Sequence, residues 1–276
     1  HQIGVYLAAG ESEVLGFKIP KQRRVLYLNF ELSNSEFNRR HKKIASGIGQ
    51  KGNLKNFQYN SVTNRKGLFE DNWDRILETI KNRYPFDMII VDNLYASTSE
   101  NDEKNYDLKQ ILRKITDVAN VHGSAVLVIT HHRKHSPEEP LSLHLVRGGS
   151  TLTNAMDMVL QLGRSIINPD IRYFMITKNR YYSPNLMKSL ELTLDPESLR
   201  MINTGEISEH KHLTPLTEDQ NSILNRLDNE FTTAELKTQM TDNGYSERFI
   251  YDWLKKWLND GHITKISQGN YQKSLL

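Results

Sequence analysis

Cysteine is absent from the 276 residues. That excludes disulfide frameworks, cysteine-ligated zinc, iron–sulfur clusters and thiol catalysis. With only 8 proline and 15 glycine residues, hydrophobic residues at 37% and charged residues at 25%, collagen-like, low-complexity and wholly disordered chains are also excluded. No apolar run approaches the ~18 residues that a membrane-spanning helix needs, and nothing resembles a secretory signal. The expectation is an intracellular, cytoplasmic protein with no membrane partner. An excess of one charge sign is lacking too: 36 Lys and Arg against 33 Asp and Glu leave +3, too little to name nucleic acid as a partner. Its distribution is more informative. Residues 214–276 carry seven basic and nine acidic residues, so the basic excess lies wholly in the longer N-terminal part.

The length suits two domains better than one. His1–Gly10 has apolar residues at helical spacing and a terminal glycine fit for a left-handed cap, but no N-cap of its own, and reads as the middle and end of a helix. From Arg24 onward, short apolar runs alternate with helical patterns. Residues 25–30, 87–92 and 125–130 read as strands buried on both faces. Between them, Ser33–Ile48 opens with a Ser-x-x-Glu capping signal. Residues 70–83 place Trp73, Ile76, Leu77 and Ile80 on one face, and residues 103–122 do the same with Leu108, Ile111, Leu112, Ile115 and Val118. This alternation predicts an α/β domain with a largely parallel sheet. Residues 157–163, 171–178 and 188–195 read as antiparallel additions at one side of that sheet. The pattern is lost over 196–215, which reads as a linker. Beyond it, helices at 217–228, 232–242 and 246–260 and two short strands follow the order of a winged helix domain.

In parallel α/β sheets, ligands sit beyond the carboxyl ends of the strands. The residues there are Glu31, Asp92 with Asn93, and Thr130 with His131 and His132. A carboxylate closing an apolar strand is costly unless a metal or a catalytic task holds it. Asp92 suits magnesium bound through water, or alternatively a helix cap or loop hydrogen bond. Glu31 suits a general base for an attacking water, or simply begins the next loop. His131, His132 and His135 lack the spacing of a zinc set.

Taken together, Arg24–Glu31 followed by a helix with Arg39-Arg40-His41, Phe86–Leu94, Val128–His132 and Arg147-Gly148-Gly149-Ser150 resemble the RecA-type ATPase core of the RepA-like plasmid replicative helicases. The resemblance spans about residues 1–195 and implies a RecA-like three-layer α/β sandwich, with ATP and Mg as cofactors, DNA as partner, and assembly into a homo-oligomeric ring, possibly a hexamer. It makes Glu31 the catalytic glutamate, Asp92 the Walker B aspartate with Asn93 beside it in the cofactor site, and His131-His132 the motif that links nucleotide state to DNA. The family's phosphate loop would precede the helix that His1–Gly10 finishes, and no GxxxxGK[ST] occurs in the 276 residues. The expectation is that this loop lies upstream. The alternative is a catalytically silent DNA-binding or regulatory adaptor.

Lys178-Asn179-Arg180 resembles the Lys-x-Arg of hexameric RecA-type helicases, which implies that both cations complete a neighbouring subunit's site; an ordinary basic turn is the competing reading. Arg133 and Lys134, in the polar loop after the third buried strand, suit phosphate contacts, as does Arg147, although Glu138 and Glu139 argue against a purely electrostatic loop and keep a merely solvated one as the competing reading. In the C-terminal part, helix 246–260 is expected to bury Phe249, Ile250, Trp253, Leu254, Trp257 and Leu258. Its other face carries Arg248, Lys255 and Lys256, suited to DNA, while the acidic balance keeps a protein-binding role open.

Overall fold

The computed structural model describes residues 1–50, 54–61, 78, 80–82, 85–94, 105–181, 189–213 and 216–274. Helix α1 (Gln2–Ala9) ends at Gly10, whose φ of 78° lets its N–H donate to the Tyr6 carbonyl. A short hairpin, β1 (Glu13–Val14) and β2 (Phe17–Lys18), leads to β3 (Val25–Asn29). The capping signal then acts as expected: the Ser33 hydroxyl accepts from the Glu36 N–H and starts α2 (Asn34–Gly47). After β4 (Phe57–Ser61) come β5 (Met88–Asp92), α3 (Asn105–His122) and β6 (Ala125–Val128). These strands form a parallel sheet in the order β4-β3-β5-β6.

Alternation along β3 divides the core. Leu26 and Leu28 pack with Phe86, Ile89, Val91 and Ile115 on one face. Val25 and Tyr27 pack with Ile90, α1 and α2 on the other, through Val5, Ala8, Phe37 and Ile44. Both faces are covered, which explains the continuous apolar reading of β3 and β5. Ile80 is buried as expected, whereas Trp73, Ile76 and Leu77 and the side chains of Leu108 and Val118 lie outside the described residues.

Beyond the sheet, α4 (Gly149–Ala155) precedes β7 (Met158–Arg164), β8 (Ile171–Asn179), β9 (Leu190–Asp195) and β10 (Arg200–Glu206). Two expectations are corrected here. Among the described residues the antiparallel strands share no ladder with the parallel sheet and form a sheet of their own, ordered β10-β9-β8-β7. Residues 196–215, expected to be a linker, instead hold β10 and α5 (His210–Leu213). The reason is turn chemistry: the Asp195 carboxylate accepts from the Glu197 N–H and the Ser198 hydroxyl, so 195–200 reverses the chain and β10 pairs back onto β9. Gln2 exchanges both amide bonds with Met201 and ties α1 to β10.

The C-terminal part contains α6 (Glu218–Arg226), β11 (Glu230–Thr232), α7 (Thr233–Asp242), α8 (Arg248–Asn259), β12 (Ile263–Ser267) and β13 (Asn270–Lys273). Capping boxes at Thr217–Gln220 and Thr232–Glu235 start α6 and α7, and such caps each contribute about 1 kcal/mol. The small sheet is ordered β11-β13-β12. Its core is Ile223, Leu224, Leu236, Met240, Ile250, Leu254, Trp257, Ile263 and Tyr271. Phe249 departs from expectation. Ile250, Leu254 and Trp257 define the inward stripe of α8, which turns Phe249 outward at 48% exposure. Among the described residues no helix is long and apolar enough to cross a membrane.

Because this core draws only on residues beyond 214, the isolated segment 214–276 should fold cooperatively. Trp257→Ala should then unfold it, since deleting a wholly buried tryptophan costs about 3–5 kcal/mol and small domains have little to spare. Circular dichroism melts of both peptides test this; a non-cooperative wild-type melt contradicts it.

Candidate functional site at the strand ends

The carboxyl edge of the parallel sheet is organised by Asn29, the last residue of β3 and fully buried. Its Oδ1 accepts from the Leu32 N–H at 3.0 Å and the Glu31 N–H at 3.4 Å, while its Nδ2 donates to the Leu32 carbonyl at 2.6 Å. That closes a tight turn between β3 and α2 and points Glu31 to the edge. The strand ends are stitched together by backbone bonds from Phe30 N to Asp92 O, Ile129 N to Val91 O and Leu94 N to Ile129 O.

Asn93, 4% exposed, lies at the centre. Its Nδ2 is 2.8 Å from Glu31 Oε2 and 3.0 Å from His131 Nε2. An amide has two hydrogens, so it can donate to both, provided that His131 keeps its proton on Nδ1. Glu31 and His131 are both exposed. One buried amide therefore holds a carboxylate and an imidazole that face solvent. Asp92, half-buried, accepts a hydrogen bond from the Tyr27 hydroxyl on Oδ2. Burial, then the Asp92 charge, pushes the Tyr27 phenol well above its usual range, so it remains a donor. Oδ1 accepts no hydrogen bond from the described residues, and one hard carboxylate oxygen suits magnesium held through its own water. Among the described residues no group of three or more potential ligands could hold a metal directly.

His132 does not join this cluster. Its Nε2 is 3.1 Å from Gln161 Nε2, which also donates to the Ser142 carbonyl at 3.1 Å. Burial, then the charges of His135 and His131, lowers its pKa. The chain at His131–Arg133 pairs with Leu145–Arg147: Arg133 N donates to Leu145 O at 2.7 Å and Arg147 N to His131 O at 3.2 Å. The loop bearing Lys134 is thus closed at its base, and Arg133, Lys134 and Arg147 are exposed on or beside it.

Lys178 is half-buried and Arg180 exposed, and both are engaged within the chain. Lys178 Nζ donates to Thr153 O at 2.6 Å, and Arg180 Nη2 to Asn154 O at 2.8 Å, with Asp157 3.4 Å from Nη1. Both cations therefore cap the carboxyl end of α4, where they meet orphan carbonyls and a favourable helix dipole. On α8, Arg248, Lys255 and Lys256 are exposed as expected. Tyr27, Asn29 and Gln161 were not anticipated. Their signal was a polar group inside an otherwise apolar strand, which must find a partner once buried.

This geometry defines an α/β domain with two carboxylates and an imidazole gathered at the carboxyl edge of a parallel sheet. A family model described as an AAA domain matches residues 2–137, just under half of the chain, so the region that supplies Glu31, Asp92 and His131 is similar to an AAA-type ATPase domain. Among solved structures, the chain is similar to the RadB recombinase, with 17% identity, a TM-score of 0.48, and coverage of 65% of this chain and 78% of that one. No curated protein matches significantly.

His41, His132 and His212 all have pKa values lowered from 6.5 by burial. Unfolded imidazoles take up protons near 6.5 and the folded ones only at lower pH. Their contribution to stability is therefore full above about pH 7 and is lost as pH falls through 6.5 toward the folded values. Melting temperature should decline between pH 7 and 5.5, and less steeply in His41→Gln. A flat profile would contradict buried neutral imidazoles.

Proposed function

We propose that this chain is an ATP-dependent ATPase that acts on DNA, of the RepA-like helicase or replication and mobilisation kind found on plasmids and mobile elements, working in the cytoplasm as a homo-oligomeric ring. The observation that carries this reading is the Asn93 amide bridging Glu31 and His131 at the sheet edge. A carboxylate held there can orient a water and take its proton, as hydrolysis of a phosphoanhydride requires. Asp92 Oδ1 would meet the hydration shell of magnesium, which supplies charge neutralisation when bound with ATP. Loss of the γ-phosphate changes what Glu31 faces, and the Asn93 amide transmits the difference to His131 and the loop base at His131–Arg133.

Further parts of the reading extend it. The element order α6-β11-α7-α8-β12-β13 is that of a winged helix domain, which we take to occupy about 216–276, with Arg248, Lys255 and Lys256 set toward DNA phosphates. Arg133, Lys134 and Arg147 would meet the strand passing the first domain. The second reading, a catalytically silent adaptor, is favoured by one observation: Asp92 is already engaged by Tyr27.

Two measurements separate these readings. In the complete protein, Glu31→Gln should leave nucleotide affinity nearly intact and lower turnover by about 10²–10⁴-fold; turnover within twofold of wild type removes Glu31 from the chemistry. For Lys178 and Arg180 we propose a role in the adjacent subunit's site, reached when they leave the α4 carbonyls. Mixing Arg180→Ala with Glu31→Gln subunits should then restore part of the hydrolysis that each lacks. A mixture as inactive as its components leaves Arg180 with its cap on α4 alone.

A further inference from the structure

Successive side chains of an extended segment point to opposite faces, and the His131-His132 pair uses both. His131 meets Asn93, whereas His132 turns to a cavity of about 480 Å³ whose walls include His135, Leu141, Leu162, Arg164 and Tyr173. Its base is rigid. Tyr173, 2% exposed, lies flat between β7 and His212: a Cβ on Gly163 would sit 2.2 Å from Tyr173 Cζ, and the His212 ring stacks at 4.6 Å and 3°. Glu209 accepts from the Tyr173 hydroxyl and from the Leu141 N–H, which fixes the loop's return end to the sheet. The mouth is different in kind. His135 and Arg164 are exposed there, and Leu162 leaves 46% of its surface open. Beside His132, Gln161 spends its amide hydrogens on Ser142 and His132, and its Oε1 is buried with no partner among the described residues.

Among the described residues the lining comprises flat rings, aliphatic walls and a guanidinium, with no carboxylate. Such a cleft suits a planar, largely apolar group that carries a negative charge at one end. The neighbouring loop offers Arg133 and Lys134 against Glu138 and Glu139, so charge alone gives it little hold on a phosphate backbone. Shape must supply the rest. We propose that this cleft accepts a base of single-stranded DNA, with Leu162 and the His132 and His135 rings against the base and Arg164 on its phosphate. The inference rests on the DNA-directed reading above and names a contact that it leaves open.

The test uses the whole chain and fluorescence anisotropy with three labelled 20-mers: oligothymidylate, an abasic strand with the same phosphates, and a duplex. Base–side-chain stacking should favour the thymidylate strand over the abasic one by about tenfold or more. The duplex, whose bases are already stacked on one another, should bind no better than the abasic strand. Leu162→Ser with Arg164→Ala should reduce thymidylate binding to the abasic level. Both side chains are exposed, so an unchanged melting transition is expected; should the pair melt early, Arg164→Glu alone replaces it. Equal binding of the abasic and thymidylate strands, or a preference that survives the substitutions, overturns the cleft while leaving DNA as a partner. Failure of every strand to bind overturns both readings at once.

Discussion

The two hydrogens of one amide constrain the candidate site more than any other feature. Asn93 is buried, and each hydrogen has a partner on a different strand end, Glu31 after β3 and His131 after β6. The distances hold only if β3, β5 and β6 keep their register, in which Asn29 lies opposite Asp92 and Val91 opposite Val128. A slip of one residue would turn Asn93 away and expose the apolar face of β5 to the wrong layer. Hydrophobic burial on both faces of the sheet and the alignment of Glu31, Asn93 and His131 at its edge are thus enforced by the same pairing.

Asp92 at the candidate site and the cations at the end of β8 are engaged within the chain. Tyr27 occupies one oxygen of Asp92, and Lys178 and Arg180 occupy the last carbonyls of α4. Each is an arrangement that a bound anion or cation would have to displace or share. A site whose polar groups already have partners pays less desolvation when empty, and ligand binding then exchanges one set of bonds for another. His132 and Gln161 show the contrary case, with one buried acceptor that has no partner among the described residues beside a cleft.

Much of the fold could be read from the chain because local chemistry and burial agreed. Val25–Asn29 and Met88–Asp92 are apolar throughout, since helices cover both faces, and Ser33–Glu36 marked the start of α2. Elements lacking such agreement went unrecognised. Phe57–Ser61 is an edge strand with exposed polar positions, and becomes a strand only because β3 offers it a ladder. Arg200–Glu206 is as polar as a linker, and the turn held by the Asp195 carboxylate makes it the partner of β9. On α8, Phe249 had the hydrophobicity of a core residue but stands on the outer side of the stripe.

The sequence by itself determined which residues end the buried strands, because a carboxylate or imidazole following four or five apolar residues must emerge at the sheet edge. Glu31, Asp92 and His131 were therefore legible as a group. Tertiary structure alone decided how they are joined. Asn93, Tyr27 and Asn29 matter through hydrogen bonds to residues 62, 65 and 3 positions away, and no local pattern encodes the longer two. The same holds for the separation of His131 from His132. They are neighbours in the chain, but alternation of an extended backbone assigns one to the strand-end cluster and the other to the cleft; the end of β5 supplies Asn93 to His131, and β7 supplies Gln161 to His132.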